Sequence, residues 1–161
     1  DSERSRGLGD VYKRQNKHHI KKIVSHKNDE NNQATISEAI GSNENIILKI
    51  DIEGDEFKIL EEIDKNLDKI NLLIIEFHDM QKNLKKVENF IENTKLKNIH
   101  ITANNYGMLD EKGIPQVIEM TLINPKKFEI TDERSKRNYP IEGLDFKNRK
   151  RGPDIELKFN E

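Results

Sequence analysis

Two isoleucine-rich runs, residues 45–51 (NIILKID) and 71–77 (NLLIIEF), flank a segment in which Phe57, Leu60, Ile63 and Leu67 recur at helical spacing. Short runs of β-branched residues read as strands, and apolar residues three and four apart read as one helix face. A strand, a helix and a second strand in that order favour parallel strands joined by a crossover. Gly54 breaks the first run, and the acids that follow it suit the positive end of a helix. A second helix is expected over residues 83–93, with Leu84, Val87, Phe90 and Ile91 on its apolar side. Residues 97–104 and 116–124 alternate in polarity across a polar loop (NNYGMLDEKGIP), as two antiparallel strands would. Thr35 and Glu38 have the spacing of a capping box, so TISEAI predicts a short helix before the first strand. The expected fold is α/β: half of a doubly wound, mostly parallel sheet with an antiparallel edge pair. A short strand at IELKF, near the end of a basic, irregular tail, completes the reading.

Composition narrows the function classes. Of 161 residues, 36% are charged and 33% hydrophobic, with a net charge of −2 and both signs interspersed. There is no basic stripe for nucleic acid. There is no cysteine, which excludes disulfides and thiolate metal sites and fits a cytoplasmic location. The longest apolar runs are too short to span a bilayer, and no signal peptide is visible. Residues 10–15 (DVYKRQ) also read as the translation of a transposase adaptor end, so residues 1–15 are expected to be an adaptor-derived or disordered head.

Strand side chains alternate, so Lys49, Asp51 and Glu53 share one face, and Glu76 and His78 share another farther along the chain. Both groups end their strands, and the carboxyl edge of an open α/β sheet is where ligands bind. If the strands are parallel neighbours, Asp51, Glu53, Glu76 and His78 converge on one crevice as catalytic or binding groups. Asp51 falls within an apolar run, where an unpaired carboxylate is costly, and Lys49 is a candidate ion partner for it. Asp55 and Glu56 read as the solvated start of a helix. An EF-hand counted from Asp51 fails, because Glu56 stands where the loop needs glycine. His18, His19, His26 and His100 carry no motif, and no HExxH, phosphate loop or GxSxG is present.

The stretch LKIDIEGDEFKIL resembles the K-x-D-x-E-G-x-E signature of the FkbM-type methyltransferases, with Lys49, Asp51, Glu53, Gly54 and Glu56 matching. TISEAI stands where that family has a T-x-D-D-L-like helix, here with Ser37 and Glu38, and LLIIEFHD is similar to its E-x-H strand through Glu76 and His78. NNYG and IPQVIEMTLINP resemble a loop and late strand of one branch, which also carries D-F-P-N. In LDFKN, Asp145, Phe146 and Asn148 match that segment and Lys147 replaces its proline.

The resemblance implies a class I (Rossmann-like) methyltransferase fold, of which residues 16–161 form the C-terminal half. It implies S-adenosylmethionine as methyl donor and O-methylation of a small-molecule or glycan acceptor. It places Asp51 and Glu53 beside the methyl group, Asp51 on the cofactor side, and makes Asp51, Glu53 or His78 the base. Glu76, Asn104 and Asn105 would face the acceptor. The family's glycine loop (E/D-x-G-x-x-x-G) is absent, so the chain reads as truncated and inactive by itself. A divalent cation, magnesium or manganese, is left open. Two other readings stay open as well: a metal-dependent hydrolase using Asp51, Glu53, Glu76 and His78, and a non-catalytic α/β module.

Overall fold

The computed structural model describes residues 23–24, 33–131 and 133–157. The expected head at residues 1–15, with His18, His19 and His26, lies outside them. A minimal parallel pair, β1 (Ile23–Val24) and β2 (Gln33–Ala34), precedes helix α1 (Ile36–Ile40). The capping box forms as expected: the Glu38 amide donates to Thr35 Oγ1, and the Thr35 amide donates to Glu38 Oε2.

The main sheet contains β3 (Ile46–Ile50), β4 (Ile70–Phe77), β5 (Lys97–Ala103) and β6 (Ile118–Ile123), in the spatial order β3-β4-β6-β5. The expected parallel neighbours, β3 and β4, pair from Ile46↔Ile70 to Ile50↔Ile75. The expected antiparallel pair, β5 and β6, is also present. The expectation of a mostly parallel sheet needs correction. Among the described residues, β3–β4 is the one parallel pair of this sheet, because β6 enters between β4 and β5 and pairs antiparallel with both. Strands β3, β4 and β5 therefore share a direction that β6 opposes. Burial explains the order: Ile118, Met120, Leu122 and Ile123 of β6 are buried, whereas most of β5 is exposed or half-buried, so β6 takes the inner place.

Two helices cover the sheet. Helix α2 (Leu60–Lys65) is shorter than its periodicity predicts. A single tight turn, Glu56–Lys58, replaces its first half, because the Glu56 side chain folds back onto the chain before it. Asn66 ends the helix by donating to Ser37 Oγ and to the Glu62 carbonyl, which also ties α2 to α1. Helix α3 (Met80–Asn93) matches its predicted amphipathic pattern and buries Met80, Val87 and Phe90. Phe77, at the end of β4, stacks on Phe57 and meets Phe90 edge-on, at 5.5 and 6.3 Å between centroids. One core joins α1, α2, α3 and the inner strands. Of the strand expected at IELKF, residues 158 and 159 lie outside the described residues, and Leu157 forms a single bridge with Tyr139.

Candidate active site

The carboxyl ends of β3 and β4 open onto a cleft of about 530 Å³ lined by Asp51, Glu53, Glu76, His78, Asn104, Tyr106, Gln116 and Asn148, among others. The four titratable groups expected to converge do so. A larger hollow of about 1940 Å³ lies between α3, β5 and the tail, but none of those four residues lines it. The smaller cleft is the candidate site for that reason.

Local structure sets each group. β3 ends at Ile50, so Asp51 lies just beyond the strand and is exposed. The expectation of a costly carboxylate within the strand is corrected accordingly. Lys49 does not pair with Asp51: its Nζ donates to Glu119 Oε2 at 3.0 Å. That hydrogen bond raises the Lys49 pKa above its ordinary 10.5, with smaller help from the charges of Glu119, Asp51 and Glu76. The lysine also offsets an unfavourable register, since Glu76 and Glu119 stand directly opposite each other on β4 and β6.

After Asp51 the chain reverses through Glu53 and Gly54, at φ 57° and 108°. Glu53 is thereby pushed out into solvent, its side chain 85% exposed, with Oε2 at 3.4 Å from His78 Nε2. Glu56, read from the sequence as a solvated helix acid, is instead wholly buried. Its Oε1 accepts from the Ile52 and Gly54 amides and lies 3.0 Å from His78 Nδ1, while Oε2 has no partner among the described residues. His78 thus spans a buried carboxylate and an exposed one. It is followed by Asp79 at φ 50°, a left-handed kink from which α3 starts.

Glu76, also buried, accepts from Asn104 Nδ2 at 2.8 Å, and Asn104 Oδ1 accepts from the Tyr106 amide. Asn104 therefore lines the cleft beside Glu76. Asn105 does not line the cleft: its amide nitrogen donates to the Arg149 and Pro153 carbonyls and its oxygen accepts from the Arg149 amide. That side chain is spent on holding the tail, and the tail brings Asn148 to the cleft. His100, uninformative in the sequence, reinforces the same attachment. Its Nε2 lies 2.7 Å from Asp145 Oδ1, and Asp145 Oδ2 accepts from the Ile141 amide.

Ligand atoms of Asp51, Glu53 and His78 lie within 4.8 Å of one another, a spacing that one cation would span. In charge, the exposed carboxylates also suit a sulfonium or an ammonium group. The chain carries no E/D-x-G-x-x-x-G loop to receive the other end of a nucleoside cofactor.

The family model for the methyltransferase FkbM domain matches residues 2–107. The chain belongs to the FkbM methyltransferase family. The match contains every group of the FkbM cleft from Asp51 to Asn104, together with Glu56, and stops before Asn148. No curated protein and no solved structure matches the chain. Sequence reasoning missed the burial of Glu56 behind His78, although the signature itself contained the signal. Glu56 is the last acid of K-x-D-x-E-G-x-E, a position that a merely solvated residue has no reason to hold.

Proposed function

We propose that this cleft is the acceptor side of an S-adenosylmethionine-dependent O-methyltransferase site. The observation that carries the reading is the meeting of Asp51, Glu53, Glu76 and His78 in one cleft at the ends of two parallel strands of an FkbM-family chain. When bound beside Asp51 and Glu53, S-adenosylmethionine would supply an electrophilic methyl group, its sulfur keeping the electron pair of the carbon–sulfur bond and leaving as a neutral thioether.

The chain's own residues have three tasks. Asp51 and Glu53 place negative charge beside a cationic donor. Glu76, steadied by Asn104, accepts a hydrogen bond from the acceptor, with Asn148 and Gln116 as further polar neighbours. A lining rich in carboxylates and amides with one exposed tyrosine suits a polyhydroxylated small molecule or glycan. His78 takes the proton of the attacking hydroxyl, which must leave for the oxygen to become a competent nucleophile. Metal-dependent hydrolysis would use the same groups, and family membership is what favours methyl transfer over it.

The test supplies the chain with millimolar S-adenosylmethionine labelled in the methyl group and a panel of sugars and other polyols. Against the expectation of a chain inactive by itself, the millimolar donor should offset weak binding, so label should pass to a hydroxyl oxygen, and His78→Gln should slow the transfer by about 10²–10⁴-fold, the usual contribution of a general base. Transfer that survives both His78→Gln and Asp51→Asn undiminished, or no transfer to any hydroxyl acceptor, would end the reading.

A further inference from the structure

Glu56 has an arrangement that a space-filling core residue does not need. It is a carboxylate with 0% exposure in a turn whose neighbours Asp55 and Lys58 are exposed. One oxygen gathers three nitrogens, those of Ile52, Gly54 and the His78 ring, at 3.2, 3.1 and 3.0 Å. Two of the three are backbone amides, which can only donate. Their donation makes Oε1 an acceptor, so the ring contact is a hydrogen bond only if His78 Nδ1 carries the hydrogen. The neutral ring then has its lone pair on Nε2. That atom points the other way, toward the exposed Glu53 carboxylate and the cleft that His78 lines.

We propose that Glu56 is a positioning residue: its buried carboxylate holds His78 in the Nδ1–H tautomer and so presents Nε2 to the cleft as the proton acceptor for the substrate hydroxyl. The inference rests on the methyltransferase reading for its purpose, but not for its geometry. The proton passes from the acceptor hydroxyl to Nε2, giving an imidazolium whose Nδ1–H still faces a carboxylate, and then leaves to water through the open cleft. An oriented carboxylate behind an imidazole both selects the tautomer and stabilises the charge that forms. The turn that creates this contact is costly, since Glu53 must adopt a left-handed backbone at φ 57° to let Glu56 fold inward. The strain sits in the residues that bring the carboxylate to the ring.

The tautomer can be read on the chain itself, without donor or acceptor, by long-range proton–nitrogen NMR of ¹⁵N-histidine-labelled protein at a pH where the ring is neutral. The proposal expects His78 protonated on Nδ1, with that proton displaced downfield by its charged acceptor. Glu56→Gln keeps an oxygen for the two amides, so the Nδ1–H tautomer should persist while its proton moves upfield, the acceptor now being neutral. Glu56→Met offers no acceptor, and the Nε2–H tautomer should gain population. A wild-type ring protonated on Nε2 overturns the proposal, as does an Nδ1 proton unmoved in Glu56→Gln. Where Glu56→Met does not fold, the Glu56→Gln shift alone decides. Failure of methyl transfer with the tautomer as expected would count against the proposed function and leave the positioning intact.

Discussion

At the scale of single residues, the site depends on a backbone reversal as much as on carboxylates. Gly54 holds φ at 108°, and a Cβ built there would meet nothing within 4 Å. The barrier to substitution is therefore conformational, not steric. Gly54→Ala should destabilise the chain by on the order of 1 kcal/mol or more, because alanine resists this backbone region. It should also loosen the Gly54 amide from Glu56 Oε1. Urea denaturation measures the first effect, and an unchanged midpoint would show that the reversal is not strained. Part of the candidate cleft was legible from local pattern alone. Asp51, Glu53, Glu76 and His78 follow from strand alternation and from the rule that ligands gather at carboxyl edges. Glu56 was legible only through the signature it completes, because by local pattern an acid two residues after a glycine looks the same whether it caps a helix in water or folds inward. His100 was hidden for a different reason: its partner Asp145 lies 45 residues away in an irregular tail.

Elements were legible where their stability is local and obscure where a neighbour decides. The capping box of α1 and the apolar stripe of α3 are written within a few residues of themselves, and both form as expected. Helix α2 loses its first turn to Glu56, and β6 takes an inner place because it is more apolar than β5, a comparison no single segment contains. The junction of α1 with α2 supports a prediction. Glu62 accepts from Ser37 Oγ and pairs with Lys65 Nζ, both at 2.8 Å. The Lys65 bond, then the Ser37 bond, holds the Glu62 carboxyl below its ordinary 4.5. A lowered folded-state pKa contributes stability that is present above 4.5 and lost as pH falls through the folded value. Glu62→Gln should therefore cost about 0.5–1 kcal/mol at neutral pH, a figure already reduced for solvent screening. The cost should fade in acid well below pH 4.5. A penalty equal at both pH values would mean that Glu62 acts through shape and not charge.

At the scale of the whole molecule, the described residues gather carboxylate and amide groups in one cleft, and the sequence contains no E/D-x-G-x-x-x-G stretch. Titration calorimetry of the chain with S-adenosylmethionine should accordingly find weak binding, and low-micromolar affinity or better would contradict that. Among the described residues no helix is long and apolar enough to cross a membrane. The sheet order carries a consequence for how the chain is made. Strand β4, the most apolar segment, finds its first partner in β3, already synthesised, but its other side belongs to β6. On a ribosome, α3, β5 and the whole return loop must emerge before that partner exists. Throughout that interval a nascent chain displays an unpaired, isoleucine-lined edge to everything around it. The speed of translation over α3 and β5, or a chaperone waiting at the exit tunnel, then governs how much of the chain escapes aggregation.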